Sequence, residues 1–230
     1  MREISPHPQI NHQTYKIMEN PVESKDVKYI ERNYRIEIHR DEDCYMGWDD
    51  LGDHLGTIYS NHRNWNPDKH DVDEILDEEN RPDSENYVYV PIWMYEHSGT
   101  TIKACSSNPY SCPWDSGCAG LIACSKEKIL KEYGNLSEET IQKVKDVMVS
   151  EIHELDLLYQ GDVYGYIVIY VGEDGEEEEI ASCCGFITEW NKLDFVFEEA
   201  EAEAIADAKS WYRKHGIQLR IPFPKDEGEE

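Results

Sequence analysis

The chain has 230 residues, room for one large domain or two small ones, and 39% hydrophobic and 11% aromatic content excludes disorder along its whole length. Forty-nine acidic residues against 22 basic ones give a formal net charge of −27. That balance argues against direct binding of nucleic acid or an anionic membrane, which needs cationic groups, and no run approaches the ~18–20 apolar residues of a membrane span.

The acidic excess is uneven. Residues 41–85 hold 15 acids and 3 bases, and residues 171–230 hold 17 acids and 6 bases, so these two segments carry 23 of the 27 excess charges. Such a surface serves solubility or attracts a basic surface. Residues 1–13 lack the apolar core of a secretory signal. The cysteines, Cys44, Cys105, Cys112, Cys118, Cys124, Cys183 and Cys184, are odd in number and match no small disulfide scaffold. Reduced thiols in a cytoplasmic protein are therefore expected.

In chain order, residues 1–28 are polar, carry Pro6, Pro8 and Pro21, and read as a mobile N-terminal arm. Residues 34–39 alternate as a strand. Residues 68–84 are highly acidic and bounded by Pro67 and Pro82, which suggests a short helix near Val72 and Leu76 inside a solvated loop. Residues 87–95 are β-branched and aromatic, a buried strand in which Pro91 implies a bulge or an edge. Residues 97–117 have loop chemistry, and 119–124 form a short apolar strand.

Ser125 and Gly134 bracket a helix over 126–133. Ser137 caps a second, in which Ile141, Val144, Met148, Ile152, Leu155 and Leu158 fall near helical spacing through Tyr159. Residues 163–171 and 180–188 flank Glu173-Asp174-Gly175 as a hairpin. Residues 197–215 read as a last helix, with Ala200, Ala204, Ala208, Trp211 and Tyr212 on one face and Gly216 ending it. The order predicts an α+β fold: an antiparallel or mixed sheet with about three helices packed on one face. A single domain is expected over 29–216, followed by a charged tail over 217–230.

Three residues of the 97–117 loop could carry chemistry. Cys112 beside His97 would make a thiolate, with Asp115 orienting the imidazole, if the ring reached the sulfur. The alternative is structural, since Asp115-Ser116-Gly117 is an ordinary turn tripeptide and Ser116 lacks the G-x-S-x-G setting of a nucleophile elbow. No metal is implied: Cys112, Cys118 and Cys124 are six apart, Cys183 and Cys184 are adjacent, and His54, His62 and His70 are separated by loop residues. Neither phosphate-cradling glycine motif is present, and no cofactor is called for.

Tyr95-Glu96-His97-Ser98-Gly99, Cys112-Pro113-Trp114-Asp115-Ser116-Gly117, Gly120-Leu121-Ile122 and Ser125-Lys126-Glu127-Lys128 form a distinctive set. Trp48-Asp49-Asp50-Leu51-Gly52, Glu132-Tyr133-Gly134 and Gly161-Asp162-Val163-Tyr164-Gly165-Tyr166 accompany it. Over roughly residues 33–190 the chain resembles a family of accessory proteins of bacteriophages and mobile elements. Cys105, Cys118, Cys124 and the long acidic tail depart from that pattern. The resemblance implies a setting, a small accessory protein in a bacterial host cell, and carries over no catalytic residue.

Charge and resemblance together suggest an inhibitor of a host defence system that mimics nucleic acid. Its partner would be a basic host surface, such as a defence nuclease or restriction complex. Asp49, Asp50, Asp71, Asp73, Glu74, Glu176, Glu177 and Glu178 are the candidate contacts, with Trp48 and Trp114 as aromatic anchors, although tryptophans beside acids suit half-buried core edges equally well. A binder of a nucleotide signal or a Cys/His hydrolase using the 97–117 loop is a second reading, and a phage structural or assembly protein a third. An oligomer is compatible with each.

Overall fold

The computed structural model describes residues 20–29, 31–44 and 46–215. It is an α+β fold with three helices, and its strands divide between two four-stranded antiparallel sheets. The first sheet has the order β1 (Glu23–Tyr29), β2 (Arg32–Arg40), β7 (Val163–Val171), β8 (Glu177–Ile187). The second has the order β3 (Thr57–Tyr59), β6 (Ser116–Ser125), β4 (Tyr87–Glu96), β5 (Thr100–Ala104). Helices α1 (Lys126–Tyr133) and α2 (Glu138–Tyr159) follow β6, and α3 (Asp194–Lys214) follows β8. The chain thus leaves the first sheet after β2, builds the whole second sheet, and returns through β7, which pairs with β2 from Asn33↔Val171 to Arg40↔Tyr164.

Each sheet buries one face under a helix. In β4, Val88, Val90, Ile92 and Met94 point inward. They meet Val144, Met148, Ile152 and Leu155 of α2 in one core with Ile129 of α1. Full burial of such side chains contributes about 1.5–3 kcal/mol each. Ser125 and Ser137 accept hydrogen bonds from the Lys128 and Thr140 amides, capping α1 and α2. In the first sheet Tyr34, Ile36, Ile38, Tyr164, Tyr166 and Val168 pack against Val196, Phe197, Ala200, Ala204 and Ala208 of α3. The alanine stripe lets helix and sheet approach closely.

Arg32 pins that layer. It is 7% exposed, donates to the Tyr34 hydroxyl at 2.9 Å, pairs with Asp207 of α3 at 3.1 Å, and lies 3.7 Å from the Tyr170 ring centroid. The Tyr34 hydroxyl donates in turn to Asp207 at 2.8 Å. Burial, and then the Asp207 carboxylate, raise its pKa well above the usual phenol value.

Three expectations need correction. Of the expected mobile arm over 1–28, residues 1–19 lie outside the described residues, but Glu23–Tyr29 forms β1 on the edge of β2. Lys25 and Tyr29 both donate to Glu201 of α3, which anchors it. Pro91 lies in an interior strand, not at an edge; of the two expected features the bulge is the one present, on β6 one step past Pro91↔Leu121, where Ile92↔Gly120 gives way to Trp93↔Cys118. The Pro91 carbonyl accepts the Cys105 amide at 3.0 Å, and the return bond that proline cannot make comes from the Trp93 indole, which donates to the Cys105 carbonyl at 3.1 Å. The bulge also requires Gly120: φ is +156° and a Cβ would lie 2.3 Å from the Tyr59 carbonyl oxygen. Finally, residues 97–117 are not one loop, because Thr100–Ala104 forms β5 on the edge of β4; the short helix expected around Val72 and Leu76 is present as a 3-10 turn, Val72–Ile75, capped by Asp71. The 217–230 tail and Gly216 lie outside the described residues. No described helix is long and apolar enough to cross a membrane.

Candidate functional site

The 97–117 segment is framed by β4 and β6, which hold Glu96 against Asp115 through a backbone bond from the Glu96 amide to the Asp115 carbonyl at 2.8 Å. His97 begins the β4–β5 turn, and its amide donates to the Gly99 carbonyl at 3.1 Å. Cys112, Asp115 and Ser116 close the loop before β6. Ser116 Oγ donates to the Cys112 carbonyl at 2.6 Å and accepts from Asn108 Nδ2 at 3.1 Å. Tyr110 stacks on Tyr95 at 5.6 Å. Burial, then the nearby Asp156 and Cys105, push the Tyr110 phenol up to about 12.

The β4–β6 pairing brings His97, Cys112 and Asp115 together, but in an order that differs from the nucleophile arrangement. Asp115 is the middle member: its Oδ2 lies 3.1 Å from Cys112 Sγ and 3.7 Å from His97 Nδ1. The thiol donates to a carboxylate instead of surrendering its proton to an imidazole, and the imidazole side chain is 66% exposed on the far side. Among the described residues no His, Cys, Asp and Glu group is arranged to hold a metal, and no disulfide joins the cysteines. His54, His62 and His70 serve separate contacts. His54 stacks on Trp48 at 3.4 Å, His62 lies 3.6 Å from Glu96, and His70 lies 2.9 Å from Glu74.

Beside this loop lies a shallow depression of about 260 Å³ lined by His62, Met94, Glu96, Trp114, Asp115 and residues 116–119. Trp114 is 92% exposed. Glu96 and His62 were not among the sequence candidates. The signal for Glu96 was available, since the inward alternation Val88, Val90, Ile92, Met94 continues to it one step past the core. No local pattern identifies His62, whose position follows from the loop after β3.

The two expected aromatic anchors part company. Trp114 is at the surface. Trp48 is not: it is 5% exposed, and its indole donates to Asp68 at 2.6 Å, so it is a core residue. The candidate carboxylates are all exposed, though several also serve the backbone. Asp50 accepts the Gly47 amide at 2.8 Å, Asp71 accepts the Asp73 amide at 2.8 Å, and Glu74 accepts the Asp71 amide at 2.8 Å. That backbone bond, and then His70, hold the Glu74 carboxyl below the usual range. Glu177 takes a two-pronged bond from Arg35 at 2.9 and 2.7 Å, which lowers its pKa likewise. Asp49, Asp73, Glu176 and Glu178 are left facing solvent. They fall in two places: near the β3 side of the second sheet, and around the β7–β8 turn of the first, where Glu173, Asp174 and Glu176–Glu178 surround a larger open hollow.

Comparison with protein-family models, with characterised proteins and with solved structures finds no match for this chain.

Proposed function

We propose that this chain is a binding protein that attaches to a basic surface of a host protein. An accessory protein of a phage or mobile element would act in this way to inhibit a defence nuclease or restriction complex, its carboxylates occupying a groove that otherwise holds nucleic acid. One observation carries the reading: exposed carboxylates without cationic partners. Among the described residues no ion pair engages Asp49, Asp73, Glu176 or Glu178, while arginines are committed inside the molecule. Arg32 pairs with Asp207, Arg35 with Glu37 and Glu177, Arg40 with Asp162, and Arg81 with Asp77 and Glu79. Charge left unpaired at the surface is available to steer a cationic partner and to displace phosphates from it.

The test is a cleavage assay with a purified nuclease whose DNA groove is basic. The protein is expected to slow cleavage in competition with DNA, and the inhibition should weaken steeply between about 50 and 200 mM salt. Neutralising Asp49, Asp73, Glu176 and Glu178 together should weaken it further. Affinity that stays constant across that salt range would remove the electrostatic basis of the proposal.

A further inference from the structure

We infer that the depression beside Trp114 is a receptor for a single arginine side chain of the protein partner, whose guanidinium stacks on the Trp114 indole and is bound by the Glu96 and Asp115 carboxylates. This rests on the binding reading above and supplies its anchor point.

The indole is the first reason. Trp114 is the most exposed of the large hydrophobic side chains described, at 92%. Tryptophan faces attract cations, and tryptophan and arginine dominate the energetics of protein interfaces. The carboxylates are the second. Glu96 and Asp115 line the same depression, with side chains 50% and 36% exposed, and a bond from the Glu96 amide to the Asp115 carbonyl ties their backbones together. The side chains that pair with them are imidazoles, His62 at 3.6 Å from Glu96 and His97 at 3.7 Å from Asp115. Among the described residues no lysine or arginine lines the depression, so none of them sets a permanent cation against these carboxylates.

Size and shape select the occupant. About 260 Å³ falls below the ~300–1,000 Å³ of ordinary small-molecule pockets, and suits one side chain. Buried Met94 and Ala119 add apolar lining beside Trp114. A planar guanidinium can stack on an indole and donate sideways to two carboxylates at once, whereas the ammonium of lysine is a strongly hydrated point charge. Exposure of the loop also explains why the indole has no internal role to lose.

The experiment titrates the full chain with two end-blocked peptides of equal charge, one carrying arginines and the other lysines, followed by calorimetry and tryptophan fluorescence. The arginine peptide should bind more tightly. Trp114→Ala should weaken it by about tenfold or more, while Trp190→Ala, which removes the other strongly exposed indole (68%), should leave it unchanged. Glu96→Gln with Asp115→Asn should weaken it as well. Glu198→Gln with Glu203→Gln removes the same charge from exposed positions of α3 and should not. Unchanged thermal unfolding of Trp114→Ala keeps the comparison clean. Equal binding of the two peptides, or equal effects of the two double variants, would overturn the arginine site while leaving attachment through diffuse charge intact. Absence of binding to either peptide would overturn the site and the broader binding reading with it.

Discussion

Asp68 separates carboxylates that build the fold from those that decorate it. It lies in the acidic stretch after β3, among residues that read as a solvated loop. One oxygen accepts the Trp48 indole at 2.6 Å and the other accepts the Ile58 amide at 2.5 Å. Trp48 is 5% exposed and Ile58 fully buried, so Asp68→Ala leaves two buried donors with no acceptor. A hydrogen bond to a charged group contributes about 1.5–3 kcal/mol, and an orphaned buried donor costs about 1–3 kcal/mol. The two bonds share one side chain and are not independent, so a loss of about 3–4 kcal/mol is expected. Asp68→Asn should lose about half as much, because the amide keeps one acceptor and turns a donor toward the other N–H. Asp73→Ala, at an exposed carboxylate without an ion pair, should stay within about 0.5 kcal/mol. Urea unfolding followed by circular dichroism and tryptophan fluorescence measures all three. If Asp68→Ala and Asp73→Ala differ by less than about 1 kcal/mol, the assignment of Asp68 as the strut between Trp48 and β3 is wrong.

Arg32→Ala breaks a buried pair and leaves Asp207 facing an aromatic wall, at an expected cost of about 3–5 kcal/mol in equilibrium unfolding. Combining it with Asp207→Asn should recover part of that cost, whereas strictly additive losses would count against a coupled network. Asp156 titrates in the opposite sense from a salt-bridged acid. Burial raises its pKa, only partly offset by hydrogen bonds from the Ile102 amide and Gln160. Its neutral form therefore favours the fold at acidic pH, and that contribution is lost as pH rises through the elevated folded-state value. Asp156→Asn should accordingly gain in melting temperature relative to the native chain between about pH 3 and pH 7. A pH-independent difference would contradict this.

The parts legible in the sequence are those set by local chemistry. The 3.6-residue spacing of Val144, Met148 and Ile152, the Ser125 and Ser137 caps, and the Glu173–Gly175 turn each depend on neighbours within a few residues. Pairing partners do not. That β2 would skip the second sheet and join β7 is written in no period, because alternation gives a strand two faces and says nothing about what lies beside it. The first strand, Glu23–Tyr29, was missed for a related reason: only Val27 and Tyr29 are apolar, and the strand is held at an edge by Glu201 on a helix at the other end of the chain. The acidic neighbours Asp49 and Asp50 fit Trp48 as a surface anchor or as a core edge; what distinguishes the two, packing in the second-sheet core and an indole bond to Asp68, lies outside the local pattern. At the site, the sequence marks His97, Cys112 and Asp115 as residue types that could act together but carries no distance between them. Their spatial order, with the carboxylate between thiol and imidazole, depends on the bulged β4–β6 register and lay beyond it.

Charge and shape divide the labour of the proposed interaction between its two rates. Residues 41–162, which build the second sheet and carry Trp114, hold 26 acids against 9 bases. This part of the molecule dominates the field that a cation meets at long range, and a long-range field acts on the rate of encounter. It cannot hold a partner at physiological salt, where exposed charges more than about 8 Å apart are largely screened. Retention has to come from a desolvated contact, and the depression lined by Trp114, Glu96 and Asp115 is the place where stacking and charge coincide. Neutralising distant carboxylates such as Asp49 or Glu178 should therefore slow association and flatten its salt dependence. Trimming Trp114 should speed dissociation at nearly constant association rate, since changes at a contact act mainly on the off-rate. The opposite partition, with Trp114 governing association, would mean that the indole belongs to the encounter and not to the bound state, and the arginine receptor would lose its physical rationale.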